Sequence, residues 1–156
     1  MTQEEKQLLL VDLCGRLPYG MICRITNRDS NYKLVEIDYT YANSSLSFVS
    51  CILPYSGYQT SVVDVELNAV KPYLRPMSSM TEEERKEFID ATDGELRYSE
   101  VFDVIKPMRE SEDYCASFVS YLKSIDWLNA HHFDYRGLIE KGLAIEVTEY
   151  NNPYKE

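Results

Sequence analysis

His131 and His132, with Asp134 two or three residues on, are the side chains of this sequence best suited to acid–base chemistry. Imidazole titrates near neutral pH, and a carboxylate that close could hold one ring in a single tautomer. Such a set still needs a nucleophile. No serine or cysteine sits in a Gly-x-Ser-x-Gly elbow, and Cys115 falls on an apolar helical stripe that would raise its pKa rather than lower it. Metal ligation meets a geometric obstacle. Adjacent histidines point to opposite faces of a strand and diverge by about 100° on a helix, whereas helical zinc sites use His at i and i+4. The six glycines are too scattered for a phosphate loop. The expectation is therefore no catalytic residue, no metal and no cofactor. A small enzyme or metal site on His131, His132 and Asp134 stands as the alternative.

The same segment, residues 127–142, also holds the only tryptophan. Trp127, Tyr135 and Arg136 are residue types that dominate interface energetics when they cluster. With His131, His132 and Asp134 they form one candidate contact surface for another macromolecule. A second candidate is Tyr55 and Tyr58, in a Pro-Tyr-Ser-Gly-Tyr loop of a chain with 13 tyrosines, because tyrosine supplies contact area at low entropic cost. The competing reading is structural: Trp127, Leu128, Phe133, Leu138 and Ile139 would cover a sheet while Asp134 caps a helix, and the tyrosines would hydrogen-bond at its rim. Exposure separates the two.

Charge narrows the partners. Residues 1–75 hold 7 Lys+Arg against 8 Asp+Glu, and residues 76–156 hold 9 against 18, so nearly all of the net charge of −10 lies in the second half. Nucleic acid and anionic membrane both favour clustered cations. The expected partner is another protein; nucleic acid is disfavoured and no membrane association is expected. A weaker alternative is single-stranded nucleic acid on the first half, where Arg16, Arg24, Arg28 and Lys33 lie near Tyr19 and Tyr32. The acidic N-terminus and the short apolar run at residues 8–11 resemble neither a signal peptide nor a membrane span, which points to a cytoplasmic protein. Cys14, Cys23, Cys51 and Cys115 lie 9, 28 and 64 residues apart, so they form no zinc knuckle and are expected as buried thiols.

The elements that must position these residues follow from periodicity. Thr2-Gln3-Glu4-Glu5 fits a capping box ahead of Leu9, Leu10, Leu13 and Leu17, predicting a helix over residues 3–14 stopped by Gly15. From residue 21 to 68 the period is two: Met21, Cys23 and Ile25; Val35, Ile37, Tyr39 and Tyr41; Leu46, Phe48 and Ile52; Val63, Val65 and Leu67. Four short strands linked by turns predict a small SH3-like antiparallel β-barrel. Residues 71–76, with two prolines, read as the joint leaving the sheet. Thr81-Glu82-Glu83-Glu84 opens a second helix to Asp93, with Met80, Phe88 and Ile89 as its apolar contacts. A third helix starts at Ser111, its stripe of Tyr114, Phe118, Tyr121, Leu122 and Ile125 facing inward. A short last helix, residues 135–141, precedes a strand with Leu143, Ile145 and Val147. The expected fold is α+β: residues 1–75 an N-terminal helix plus the barrel, residues 76–150 an acidic helical part with a final strand packed on it as one unit, and residues 151–156 a frayed tail.

Residues 71–84 (KPYLRPMSSMTEEE) and 126–144 (DWLNAHHFDYRGLIEKGLA), together with Leu13-Cys14-Gly15-Arg16-Leu17-Pro18-Tyr19-Gly20, resemble uncharacterised proteins encoded by gut Bacteroidales and their phages or other mobile elements. The resemblance spans most of the chain apart from residues 26–61. It implies a role linked to mobile elements and assigns no activity to any residue.

Overall fold

Thr2 begins the first helix as its residue type dictates. Its hydroxyl accepts from Glu5 N–H at 3.1 Å while the Glu5 carboxylate accepts from Thr2 N–H at 2.7 Å, opening α1 (Gln3–Arg16). This is a computed structural model, which describes residues 1–38, 48–52, 63–99, 104–107 and 117–155. The helix does not stop at Gly15. Asp12 and Arg16, one turn apart, pair through two hydrogen bonds of 2.7 and 3.0 Å, and that bond holds the last turn through the glycine. A 3-10 turn, Leu17–Tyr19, follows, and the chain reverses at Gly20, whose φ of +70° suits a residue without Cβ.

The strands then run β1 (Ile22–Ile25), β2 (Asn31–Asp38), β3 (Phe48–Ile52), β4 (Val63–Glu66) and β5 (Val70–Leu74). A 3-10 turn, Leu67–Ala69, links the last two. Neighbouring strands pair antiparallel in the order β4-β3-β2-β1-β5, and β8 (Ile145–Glu146) adds to β5 in parallel. β4 and β8 remain at the two ends, so among the described residues the sheet is open and the expected closure into a barrel is not seen. Residues 71–76 also depart from expectation. Val70–Leu74 stays in the sheet, with Pro72 opposite Cys23, while the parallel neighbour reaches only Tyr73 and Leu74. Pro72 thus occupies an edge-like stretch where its missing N–H costs nothing. The predicted turns at residues 42–45 and 54–57 lie outside the described residues.

Two compact units divide the chain. The first comprises Met1–Arg75 and Arg136–Glu156, the second Pro76–Tyr135. The core of the first is formed by Leu9 and Leu13 of α1, alternate strand residues Cys23, Ile25, Tyr32, Leu34 and Val70, and Leu138 and Leu143 of the returning segment. Cys23 is a buried thiol as expected; Cys14 is exposed. Residues 135–141 form turns rather than the short helix that Asp134 suggested, with Gly137 and Gly142 both at positive φ. The tail does not fray at Tyr154. Its hydroxyl donates to Tyr73 O at 2.9 Å and accepts from Ile22 N–H at 3.2 Å, and burial pushes its phenol well above its ordinary range.

In the second unit Thr81 repeats the capping box and opens α2 (Glu82–Ala91). A hairpin follows, β6 (Leu96–Ser99) and β7 (Val104–Pro107), then α3 (Phe118–Ala130), capped by Ser117. The predicted start at Ser111 lies outside the described residues. Met77, Met80, Phe88, Leu96, Tyr98, Leu128 and Phe133 make this unit's own core. Both Thr81 partners are exposed, so Thr81→Ala should cost about 1 kcal/mol by urea denaturation, leaving the midpoint lower and the slope unchanged.

Candidate interaction surfaces

The end of α3 is built around Trp127. Its indole stacks on the His131 ring (centroids 3.9 Å, 21° between planes), lies near-parallel to Phe133 at 5.7 Å, and meets Phe88 edge-on at 5.3 Å. Trp127 is half-buried. His131 Nδ1–H donates to Trp127 O at 2.8 Å, which fixes the proton on that nitrogen and ties the ring back to its own helix.

His132 serves a different purpose. Its φ is +59°, and its N–H donates to Asn129 O while Phe133 N–H donates to Leu128 O, at 3.2 and 3.0 Å. These are the paired closing bonds of a helix whose first residue past the cap is left-handed, a place usually taken by glycine. Phe133 and Leu128 then meet in the core, the apolar contact that accompanies this ending. His132 and Asp134 are buried, at 8% and 9% exposure. Tyr135 donates to Asn129 Oδ1 at 3.1 Å.

Arg136 belongs to the first unit, where its Nε lies 3.5 Å from Asp12 Oδ1, beside the Asp12–Arg16 pair, whereas Trp127 and Tyr135 belong to the second. Tyr55 and Tyr58 lie outside the described residues. Of the cations named with Tyr19 and Tyr32, Arg16 is buried against Asp12, while Arg24 and Arg28 stand exposed at the β1–β2 turn, joined there by Lys71.

The main surface feature of the second unit is one that periodicity misassigned. Phe118, Val119, Tyr121, Leu122 and Ile125 of α3 are 75%, 55%, 38%, 47% and 38% exposed, whereas Ser120, Ser124, Leu128 and Asn129 are buried. The described members of the stripe expected to face the core face outward, and Tyr114 lies outside the described residues. Small serines let α3 approach its neighbours: Ser120 lies in the capping cluster with Ser117, and Ser124 Oγ–H donates to Tyr121 O at 2.7 Å. Glu95 accepts from Ser117 N–H at 2.7 Å and so anchors the helix start. Hydrogen bonds from Ser120 and Ser117 hold its carboxyl below the usual carboxylate range, so this contribution is present at neutral pH and lost as pH falls through that depressed pKa. The sequence signal that could have identified the inner face is the serine pair at i and i+4 in line with Leu128.

Among the described residues, no group of three His, Cys, Asp or Glu side chains converges as metal ligands would, and no helix is long and apolar enough to cross a membrane. No protein family matches the chain, and comparison with curated proteins and with solved structures finds no match either.

Proposed function

We propose that this is a non-enzymatic protein-binding protein, an adaptor whose contact surface is the outward face of α3. The observation that carries this reading is the inverted helix: it buries serines and presents Phe118, Val119, Tyr121, Leu122 and Ile125 to solvent. Contiguous exposed apolar side chains on one helix face are the mark of an interaction site, since scattered ones need no explanation and grouped ones carry a solubility penalty. Helix-face recognition reads such anchors at i, i+4 and i+7, the spacing of Phe118, Leu122 and Ile125.

Charge selects the partner. The second unit holds 14 Asp+Glu against 6 Lys+Arg, including exposed Glu83, Glu87 and Asp90 on α2 and Asp126 on α3. An amphipathic helix with an apolar stripe and a basic rim is the complementary shape. The histidines support binding rather than catalysis: His131 is stacked and bonded to its own backbone, and His132 closes the helix. For the first unit, the order β4-β3-β2-β1-β5 with a 3-10 turn before β5 supports an SH3-like reading of the meander. In this account the protein works in the cytoplasm, and the resemblance to phage and mobile-element proteins suits an accessory binding role.

Leu122→Asp with Ile125→Asp tests the reading. Both side chains are exposed, so each change should alter stability by no more than about 0.5 kcal/mol by thermal and urea unfolding. The wild-type chain should retain a discrete protein from source lysate after nuclease treatment, and the folded double variant should lose it. Equal retention by both would refute the α3 surface.

A further inference from the structure

We propose that the β1–β2 turn of the first unit carries a binding site for a phosphate-type oxyanion, held by Arg24 and Lys71. With the turn residues 25–29 these two cations line a cavity of about 170 Å³.

Strand register is the first observation. Arg24 of β1 lies directly opposite Lys71 of β5, so both project from the outer face while Cys23 and Ile25 point into the core. Side chains in that relation have Cβ atoms roughly 5 Å apart, and like charges there destabilise a sheet. The chain has 26 acidic residues against 16 basic ones, so composition alone does not favour two cations side by side. Lys71 has no ion-pair partner among the described residues.

Turn geometry fixes the rim of the cavity and carries the Arg28 guanidinium toward the core-facing side, where Tyr32 lies opposite Cys23. Arg28 N–H donates to Ile25 O at 3.1 Å, closing a tight reversal in which Asn27 adopts φ +64°. Arg28 is braced over Tyr32, its guanidinium carbon 5.8 Å from the ring centroid and its Nη1 3.5 Å from the phenol oxygen. Thr26 fixes the turn to the sheet, its N–H and hydroxyl both donating to Ala69 O at 2.8 and 3.1 Å. One acid lines the cavity. Asp29 sits 3.8 Å from Arg24 Nη2 but its side chain is fully exposed, a loose pair that solvent screens.

The Arg24 fork and the Lys71 ammonium suit a tetrahedral oxyanion, because the arginine can donate two parallel N–H bonds to it and the lysine adds a compact charge. The volume sets the size. With roughly 30 Å³ per water molecule, the cavity takes one phosphoryl group with a few waters. Whatever carries the phosphate must extend into solvent.

Inorganic pyrophosphate is the probe, titrated into the full chain in low-salt chloride buffer and followed by calorimetry and by amide shifts of residues 24–29 and 71. Saturable binding is expected. Arg24→Gln and Lys71→Gln, both on exposed side chains, should each weaken it on the order of tenfold with the melting curve unchanged. Oligothymidylate in parallel distinguishes the source: binding of that strand alone, with the same loss in the variants, assigns the site to a phosphodiester backbone rather than a terminal phosphate. Absence of saturable binding by either probe, or affinity unchanged in the folded double variant, overturns the site.

Discussion

Asp12→Ala will cost the protein about 3–5 kcal/mol, the expected loss when one partner of a buried ion pair is removed. Asp12 and Arg16 side chains are both at 0% exposure, and the carboxylate accepts from Arg16 Nε and Nη2 at 2.7 and 3.0 Å. Arg136 approaches the same carboxylate at 3.5 Å from the segment that returns to this unit. Removing Asp12 takes away the carboxylate that both guanidinium groups approach, one of them shut away from water. Against a typical total of about 5–15 kcal/mol, that loss removes much of the fold's reserve. The attraction itself is not the source of the effect. Replacing both charges with apolar residues of similar size, Asp12→Leu with Arg16→Met, should recover most of the stability, because it abolishes the desolvation cost as well as the pair. Urea unfolding followed by circular dichroism checks both. A single variant within about 1 kcal/mol of wild type would show that water reaches Arg16 and that the pair is not closed off.

The second large effect lies in the other unit. Phe88→Ala should destabilise it by about 3–5 kcal/mol, since Phe88 is wholly buried and packs edge-on against Trp127 at 5.3 Å. Trp127 is the only tryptophan, so its fluorescence reports on this unit and should shift at lower denaturant in the variant. Leu122→Ala provides the contrast. Leu122 is of similar hydrophobicity but 47% exposed, and its truncation should change stability by no more than about 0.5 kcal/mol. Similar costs for the two would mean that the outer face of α3 is packed after all.

Both effects mark where sequence reasoning stops. Capping boxes at Thr2 and Thr81 are legible because they are local: one side chain and one backbone N–H three residues apart decide them. The alternation that defines β1 and β4 is legible for the same reason, since a half-buried strand repeats every two residues. In β2 the buried positions are Tyr32 and Leu34, Val35 is exposed, and a bulge between Leu34 and Glu36 breaks the phase expected from Val35 and Ile37. The orientation of α3 is not legible. Phe118, Leu122 and Ile125 fall on one side and Trp127 and Leu128 on another, so periodicity finds apolar residues around most of the helix and cannot choose the inner face. The choice is made by tertiary packing, which favours the small serines against β6 and α2.

Backbone conformation hides other features. His132 occupies a left-handed position normally signalled by glycine, so the histidine pair read as chemistry where the structure uses it to end a helix. Pro72 suggested an exit from the sheet, yet a proline is compatible with a stretch that lacks a neighbour on one side. The hairpin of β6 and β7 carries little sequence signal because its alternation, Leu96 and Tyr98 against Arg97 and Ser99, spans only four residues. Asp12 and Arg16 were invisible as a buried pair, since an i, i+4 ion pair is ordinarily a surface feature.

Partner binding by the outward face of α3 is tested most directly by site-specific photo-crosslinking from position 122 in source-cell lysate. A photoreactive residue at Leu122 should yield a discrete adduct with another protein, and the same residue at exposed Lys86 of α2 should yield none. Adducts of equal strength from both positions, or a crosslink from position 122 only to the protein's own chain, would contradict it.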